Sequence, residues 1–367
     1  MLDKIFKLRE GVDVYKIGED ILYFYFINSR EGINIEVNQN IIDLIRGFTG
    51  NLSLSEILKM LEQDYDKDLE EFLNFLIDRN ILYVIKEEEK VIDENDIERY
   101  SRQLIFFQEF FRENPYLLQK KLKDQKFLIF GAGAIGSGIA IELAMMGVEN
   151  FIIVDKEKIS LKSKQRHFYF KSKDIGQYKV DSLKLYLQNI NSNIKVKTYH
   201  DTINFNSDLS KYFLLKPSFI VNTLDEPYIG VTSLKIGREC YKKKLPLFVA
   251  GGFDAHLMST GELIIPDKTP CVDCYINHFT TNLKDWKPEY NIKIVNQKEQ
   301  LFEVGGLASM SLFSISYGII EILKYLLRKD EYLGLGRGEL LFEDLEIKYI
   351  KVEKNKKCLV CGDINDI

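Results

Sequence analysis

Phe127-Leu-Ile-Phe-Gly131-Ala-Gly133-Ala-Ile-Gly136 is the stretch that decides the fold of this chain. Four apolar residues in a row predict a buried strand, and the three glycines after it are spaced as G-x-G-x-x-G at a strand-to-helix turn. Gly131 permits the tight turn, Gly133 lets the backbone approach a phosphate, and Gly136 lets the helix pack closely on the strand. A second apolar run, Phe151 to Val154, ends on Asp155, which is placed to accept hydrogen bonds from ribose hydroxyls. By itself the pattern fits any nicotinamide-dependent dehydrogenase.

The residues further along narrow the choice. Arg166 stands eleven positions after Asp155 and Lys179 thirteen after that, the latter in Asp174-Ile-Gly-Gln-Tyr-Lys179. Val221-Asn-Thr-Leu-Asp225 places an acid just past another apolar run. A dehydrogenase has no use for these groups. An enzyme that breaks the α–β bond of a nucleoside triphosphate needs fixed cations on the phosphates and a magnesium ligand. Strands at 127–130, 151–154, 194–198, 219–222 and 247–250 alternate with helical patterns. That alternation predicts an α/β fold, a Rossmann-like, mostly parallel sheet with helices on both faces. Met258 to Ile265 and Leu340 to Val352 read as additional strands.

At 367 residues, with 46% hydrophobic and 29% charged residues, the chain has the size and composition of a soluble two-domain protein. The net charge of −5 argues against a nucleic-acid binder dominated by phosphate contacts. Met1 to Asp13 carries charges throughout, which predicts no secretory signal. The apolar run Val304 to Ile320 holds four serines and continues into Glu321 and Lys324, which predicts a buried helix and no membrane span. The expected location is the cytoplasm. There, Cys271-x-x-Cys274 and Cys358-x-x-Cys361 read as a four-thiolate zinc site that ties the C-terminal segment back onto the body. A redox dithiol and unrelated thiols are the competing readings, and Cys240 reads as a buried small hydrophobe.

Residues 1–90 form a unit of their own, followed by a linker and helical arm over 91–126 and the main domain over 127–367. Short strands at 12–15, 21–27 and 33–37 precede three helical patterns, and Ser53 with Glu56 makes a capping box at the start of the second. With a closing strand at 81–85, this predicts a winged-helix-like module. It holds 11 Lys and Arg against 19 Asp and Glu, a balance of −8 that would repel DNA. An exposed strand edge can instead take up an extended peptide, and a structural cap or dimerisation arm is the plainer alternative. Lys86 to Lys90 is expected to be a solvated linker.

Taken together, Arg99-Tyr-Ser-Arg-Gln103, the glycine turn, Asp155, Arg166, Asp174-Ile-Gly, Lys179, Asp225 and both cysteine pairs resemble the ThiF/MoeB/ubiquitin-activating family of adenylating enzymes over roughly residues 98–367. Within it, Asn114-Pro-Tyr-Leu-Leu-Gln-Lys-Lys-Leu, Pro266-Asp-Lys-Thr-Pro-Cys271 and Cys358-Leu-Val-Cys-Gly resemble the branch that matures peptide antibiotics of the microcin C type. The resemblance implies ATP, or CTP, as the nucleotide, held by Gly131, Gly133, Gly136 and Asp155. It implies Arg166 and Lys179 on the phosphates, Asp225 on magnesium, and zinc on Cys271, Cys274, Cys358 and Cys361. It also implies a homodimer in which Arg102 reaches the partner's site, and an N-terminal module that grips a short precursor peptide.

The sequence departs from the family where Lys162-Ser163 replaces the usual Ser-Asn and His167 the usual Gln, so nucleotide geometry and the choice of base stay open. His167 either replaces the Gln as a donor or packs, and packing is the expectation; His256 is expected to be structural. No cysteine lies between positions 275 and 357 to receive an acyl group, so an acyl-nucleotide is the expected product or is consumed in place. The expected function is nucleotidyl transfer to the C-terminal carboxylate of a short ribosomal peptide. Activation of a ubiquitin-like sulfur carrier, or non-catalytic presentation of a leader peptide to a partner enzyme, are the alternatives.

Overall fold

The computed structural model describes residues 1–85, 91–111, 113–226, 228–250, 258–282, 306–328 and 332–362. The expected linker 86–90 and His256 lie outside them. The chain divides into two compact units, Met1–Lys120 and Lys121–Ile367.

In the first unit, β1 (Ile5–Leu8) is the middle strand of a three-stranded sheet between β5 (Thr49–Ser53) and β6 (Leu82–Ile85). A second sheet runs β2 (Val12–Ile17), β3 (Ile21–Phe26), β4 (Glu31–Glu36), all antiparallel, which leaves β4 at an edge. Helices α1 (Gln39–Gly47), α2 (Leu54–Met60) and α3 (Lys67–Asp78) cover a core that includes Phe6, Phe24, Leu44, Leu54, Leu73 and Leu76. The expected capping box is present: Glu56 accepts the Ser53 N–H at 2.8 Å while Ser53 Oγ accepts the Glu56 N–H. Asp66 caps α3 by accepting the Leu69 N–H at 2.8 Å. The sequence reading missed β1 and β5. Each is only four or five residues long, so neither carries a period of its own, and they exist as strands through pairing with each other. After α4 (Glu94–Arg99) comes α5 (Ser101–Phe111), which carries Arg102, and the unit boundary falls within α6 (Pro115–Lys123).

The second unit is a doubly wound sheet. Its strands are β7 (Lys126–Phe130), β8 (Asn150–Val154), β9 (Lys195–Tyr199), β10 (Phe219–Asn222), β11 (Leu247–Val249) and β12 (Glu262–Ile264). Their spatial order is β12-β11-β10-β7-β8-β9; the first five strands in sequence are parallel and β12 is antiparallel. Between them lie α7 (Ala134–Met145), α8 (Lys179–Ile190), α9 (Ser210–Phe213) and α10 (Ile229–Lys242), and after them α11 (Val272–Asn282) and α12 (Ala308–Leu327). Helix α12 is long and apolar enough to cross a membrane by composition, yet most of it is buried, and it packs along α7. A Cβ on Gly138 of α7 would lie 2.2 Å from Ile315 Cδ1, so the two helices meet where a side chain is missing.

The expected strand at 258–265 is realised only as β12. The expected strand at 340–352 is instead half of a hairpin, β13 (Arg337–Leu340) with β14 (Ile347–Ile350). A turn closed by Leu341 N–H to the Glu346 carbonyl, with Leu345 at φ 57°, interrupts it. Cys240 is buried in the sheet's main core, as expected.

The parallel strands end at one level, with Phe130 registered against Val154 on one side and Asn222 on the other. Asn222 is fully buried, and its side chain fastens the loop after β10. Its Nδ2 donates to Thr232 Oγ1 at 3.1 Å and Ser233 Oγ at 3.0 Å, both on α10, and its Oδ1 accepts the Leu224 N–H at 3.2 Å. The loop carrying Asp225 is thereby set against the helix. Asn222→Ala would remove three hydrogen bonds from this corner and should cost about 2–4 kcal/mol, read as a lower urea midpoint with an unchanged slope.

Candidate functional site

The glycine turn sits at the end of β7. Gly131 has φ 101°, in the left-handed region, where a Cβ would also lie 2.3 Å from Thr223 Oγ1. A Cβ on Gly136 would lie 2.1 Å from the Gly131 carbonyl oxygen, so both positions require glycine. Gly133 caps α7, and a Cβ there would meet nothing within 4 Å. The backbone above the helix N-terminus is therefore open, and that end of a helix is suited to an anion.

Asp155, one residue past β8, is buried, and its carboxylate is already engaged. Oδ2 accepts the Ala132 N–H at 2.7 Å, and Oδ1 accepts the Glu157 N–H at 2.6 Å. Burial pushes its pKa up against the pull of those two donors. Each oxygen retains a second lone pair for a hydroxyl.

Lys179 is the first residue of α8, and its ammonium is ion-paired with Glu157. A short backbone ladder holds the pair in place: Lys179 N–H donates to the Glu157 carbonyl at 2.9 Å, and Ile159 N–H to the Gln177 carbonyl at 2.8 Å. Arg166 follows a 3-10 turn at Lys162–Gln165. Across from these groups, Lys156 bridges to Glu226 at 2.9 Å, joining the loops that leave β8 and β10. Asp225 is exposed as a residue, though the groups around its carboxyl partly desolvate it. Burial raises its pKa, the nearby Glu226 and Glu157 add to that, and Lys179 opposes it. A carboxylate desolvated among like charges gains from a divalent cation, so Asp225 fits a magnesium ligand.

The structure thus gathers Gly131, Gly133, Gly136, Asp155, Lys179 and Asp225 at the C-terminal ends of β7, β8 and β10, where ligands bind in such sheets. Arg166 lies on the loop after β8. Arg102 belongs to the other unit, in α5.

Several residues of this region escaped the sequence reading. Glu157 carried only a weak signal, an acid two positions after Asp155. Tyr169 carried none, although its buried hydroxyl donates to the Ala132 carbonyl at 3.2 Å and so supports the glycine turn from outside. His167 packs against Tyr169 and Phe170, with ring centroids 5.8 and 5.9 Å away, in keeping with the packing expected of it.

A second centre lies apart. The sulfurs of Cys271, Cys274, Cys358 and Cys361 are buried and all lie within 4.8 Å of one another. The pairs Cys271–Cys358 and Cys274–Cys361 are 3.6 and 3.4 Å apart and Cys271–Cys274 3.9 Å, too far for disulfides. Tetrahedral zinc with Zn–S bonds of about 2.3 Å sets its sulfurs about 3.8 Å apart, so this donor set fits such an ion. Asn355 N–H donates to Cys274 Sγ at 3.4 Å, and Arg238, bound to Asp273, brings a cation near the sulfurs. Both offset thiolate charge.

Comparison with known proteins gives a consistent picture. The profile of the ThiF family matches residues 100–360. The adenylyltransferase and sulfurtransferase MOCS3 of Culex quinquefasciatus is 31% identical over 185 residues, a match that covers 50% of this chain and 39% of that protein. The molybdopterin-synthase adenylyltransferase of Escherichia coli is 24% identical over 280 residues, 74% of this chain and 98% of that one. Among solved structures, E. coli MccB with AMPCPP and MccA shares the fold with a TM-score of 0.67 at 22% identity, covering 97% of this chain and 99% of that one.

One pH effect arises from the site. Burial, then the charge of Lys179, pulls the His167 pKa down from 6.5 to about 4. The folded state therefore favours the neutral ring, and stability is lost as pH falls through 6.5 toward 4, where the unfolded chain binds the proton first. Urea titrations of wild type and His167→Gln should coincide in pH dependence above about pH 6.5 and diverge below it, with wild type falling more steeply.

Proposed function

The chain belongs to the ThiF family, and from that premise we propose that it is an adenylyltransferase-type enzyme that activates the C-terminal carboxylate of a short precursor peptide. In this reading a carboxylate oxygen attacks the α-phosphorus of ATP or CTP. The new O–P bond gives an acyl-nucleotide, and the bond to the bridging oxygen breaks, so that pyrophosphate leaves with the electron pair. A carboxylate is ionised at neutral pH, so no strong base is needed. Positioning and charge stabilisation do the work. Gly131, Gly133 and Gly136 would seat the phosphates and Asp155 the ribose. Arg166 and Lys179 would offset the charge that builds at phosphorus, Asp225 would hold magnesium, and Arg102 would act in the partner's site of a homodimer.

One observation carries the peptide reading: the likeness to MccB, crystallised with MccA, runs through 97% of this chain, the N-terminal unit included. The acidic balance of residues 1–90 and the sheet edge at β4 suit an extended peptide added as a strand, and do not suit DNA. The competing reading, activation of a sulfur-carrier protein, draws on the match to the molybdopterin-synthase adenylyltransferase, which leaves a quarter of this chain uncovered. Zinc at the four cysteines and a cytoplasmic setting, where thiolates stay reduced, complete the proposal.

The wild-type chain should release pyrophosphate with short peptides bearing a free C-terminal carboxylate and not with their C-terminal amides. Arg166→Ala and Asp225→Ala should each lower that rate about 10²–10³-fold with unchanged circular dichroism. Release only with a Gly-Gly-ended carrier protein would replace this reading by the second. Elemental analysis should find one zinc per chain. Cys361→Ser should lose the metal and lower the melting temperature, since an incomplete thiolate set forfeits most of its contribution to folding.

A further inference from the structure

Strand β3 is apolar on both of its faces. Val12, Val14, Leu22, Phe24, Phe26 and Ile35 pack in the core of the first unit. Side chains alternate along a strand, so Ile21, Tyr23 and Tyr25 lie on the opposite, outer face. An antiparallel sheet with one face in water normally alternates apolar with polar residues, and this one does not. Pairing sets the outer residues in three rows: Asp13, Tyr25 and Gly32; Tyr15, Tyr23 and Asn34; Ile17, Ile21 and Glu36. The tyrosines form a ladder, with ring centroids 6.5 Å apart for Tyr15 and Tyr23 and 6.2 Å for Tyr23 and Tyr25. Tyr15 and Ile17 are 51% and 47% exposed, so the ladder is open to solvent.

Charge and shape define what fits there. Among the described residues of these rows none is Lys or Arg, while Asp13 and Glu36 are acids. Lys16 of β2 lies on the other side and donates to Gln39 Oε1 at 3.3 Å, and Arg30 belongs to the turn before β4. Asp13 accepts the Tyr15 hydroxyl at 3.1 Å, which sets a carboxylate beside the ladder. Gly32 is not in the left-handed region, so its backbone does not demand glycine, yet a Cβ there would collide with the Tyr23 ring. The missing side chain lets that ring lie across β4, toward the sheet edge. The edge itself is open. Val37 N–H bonds the Asp20 carbonyl at 2.7 Å, which fixes the phase of the β3–β4 ladder, so the peptide groups of Gly32, Asn34 and Glu36 point away from β3. A strand added there continues the three rows and carries its outward side chains to the tyrosines.

We propose that this face reads a basic residue of the precursor peptide, an arginine or lysine seated on the Tyr23 and Tyr25 rings with its charge beside Asp13. Rings flanked by carboxylates and free of competing cations are the chemistry that holds a guanidinium or ammonium group. The inference rests on the peptide-activating reading and deepens it, since it assigns the substrate a cationic side chain that the carboxylate chemistry does not require.

The test is calorimetry on the full chain with short synthetic peptides of threonine and alanine that end in a free carboxylate. Each carries one arginine at a successive position, and each has a twin with citrulline, which keeps the side chain's shape without its charge. At least one arginine peptide should bind wild type about 5–10-fold more tightly than its twin. Tyr23→Thr with Tyr25→Thr removes the rings, leaves every charge in place and should bring that ratio to about one. Tyr23→Phe with Tyr25→Phe keeps the rings and should keep the ratio. Tyr23→Leu with Tyr25→Leu is the second ring-free variant should the threonine pair lose its native circular dichroism. A ratio that survives in the ring-free variants would overturn the proposal in favour of general attraction to an acidic unit. Twins that bind wild type equally would also overturn it, and a fall in sedimenting mass on loss of the rings would then give the face to a second copy of the chain. Pyrophosphate release at equal rates with both twins refutes only this inference. Arginine-selective binding without any release refutes the proposed chemistry and leaves the docking face standing, whereas neither binding nor release refutes both.

Discussion

The hydrogen bond from the Ala132 N–H to the buried carboxylate of Asp155, 2.7 Å long, joins the turn after β7 to the exit of β8, and the rest of the site is built outward from it. The other carboxylate oxygen accepts the Glu157 N–H and so directs the chain leaving β8. That direction brings Glu157 opposite Lys179 at the head of α8, where the backbone ladder between 157–159 and 177–179 locks the two segments together. The Ala132 carbonyl, on the far side of the same residue, takes the Tyr169 hydroxyl. One desolvated acid thereby sets the turn, the following loop and the start of the next helix. Its cost of burial is offset by two charge-assisted bonds that only a closed turn can supply.

The charges around this point have a simple logic. Asp155, Glu157, Asp225 and Glu226 stand near Lys156 and Lys179, and the contacts Lys179–Glu157 and Lys156–Glu226 pair both cations with acids. Pairing keeps long side chains ordered near the strand ends while the partly exposed members stay hydrated. A triphosphate entering such a site needs a cation with it, because the local balance is already negative. The raised pKa of Asp225 reflects the same crowding, after the larger effect of burial.

The cysteine cluster solves a separate problem. Residues after β14 return to the body of the second unit through Cys358 and Cys361, which meet Cys271 and Cys274 at the start of α11 and pack with Val352 and Tyr241. A metal coordinated there would close a loop of more than eighty residues, the kind of closure that chain entropy otherwise opposes. The buried asparagine at the end of β10 performs a comparable fastening on a smaller scale. It shows how a parallel sheet fixes its functional loops with polar groups that its apolar strands lack.

Much of this was readable from local sequence, because the features concerned are local. Gly131 and Gly136 announce a turn that only glycine can make. The runs 127–130, 151–154 and 219–222 are largely apolar because parallel strands are covered on both faces, and Ser53 with Glu56 marks a helix start within four residues. The two C-x-x-C pairs likewise carried their own chemistry. Long-range register alone decided the rest. Nothing in the sequence ties Glu157 to Lys179, Tyr169 to Ala132, or Asn222 to Thr232 and Ser233, since each pair meets only when strands and helices are placed. Strands β1 and β5 are too short to show a period, and the 337–350 segment became a hairpin because a turn at Leu345 outweighed its run of strand-forming residues. A side chain's chemistry is written where it stands in the chain, but its partner is chosen by topology. So the sequence by itself determined the glycine turn, the acids and the cations, and only the tertiary structure decided which of them touch.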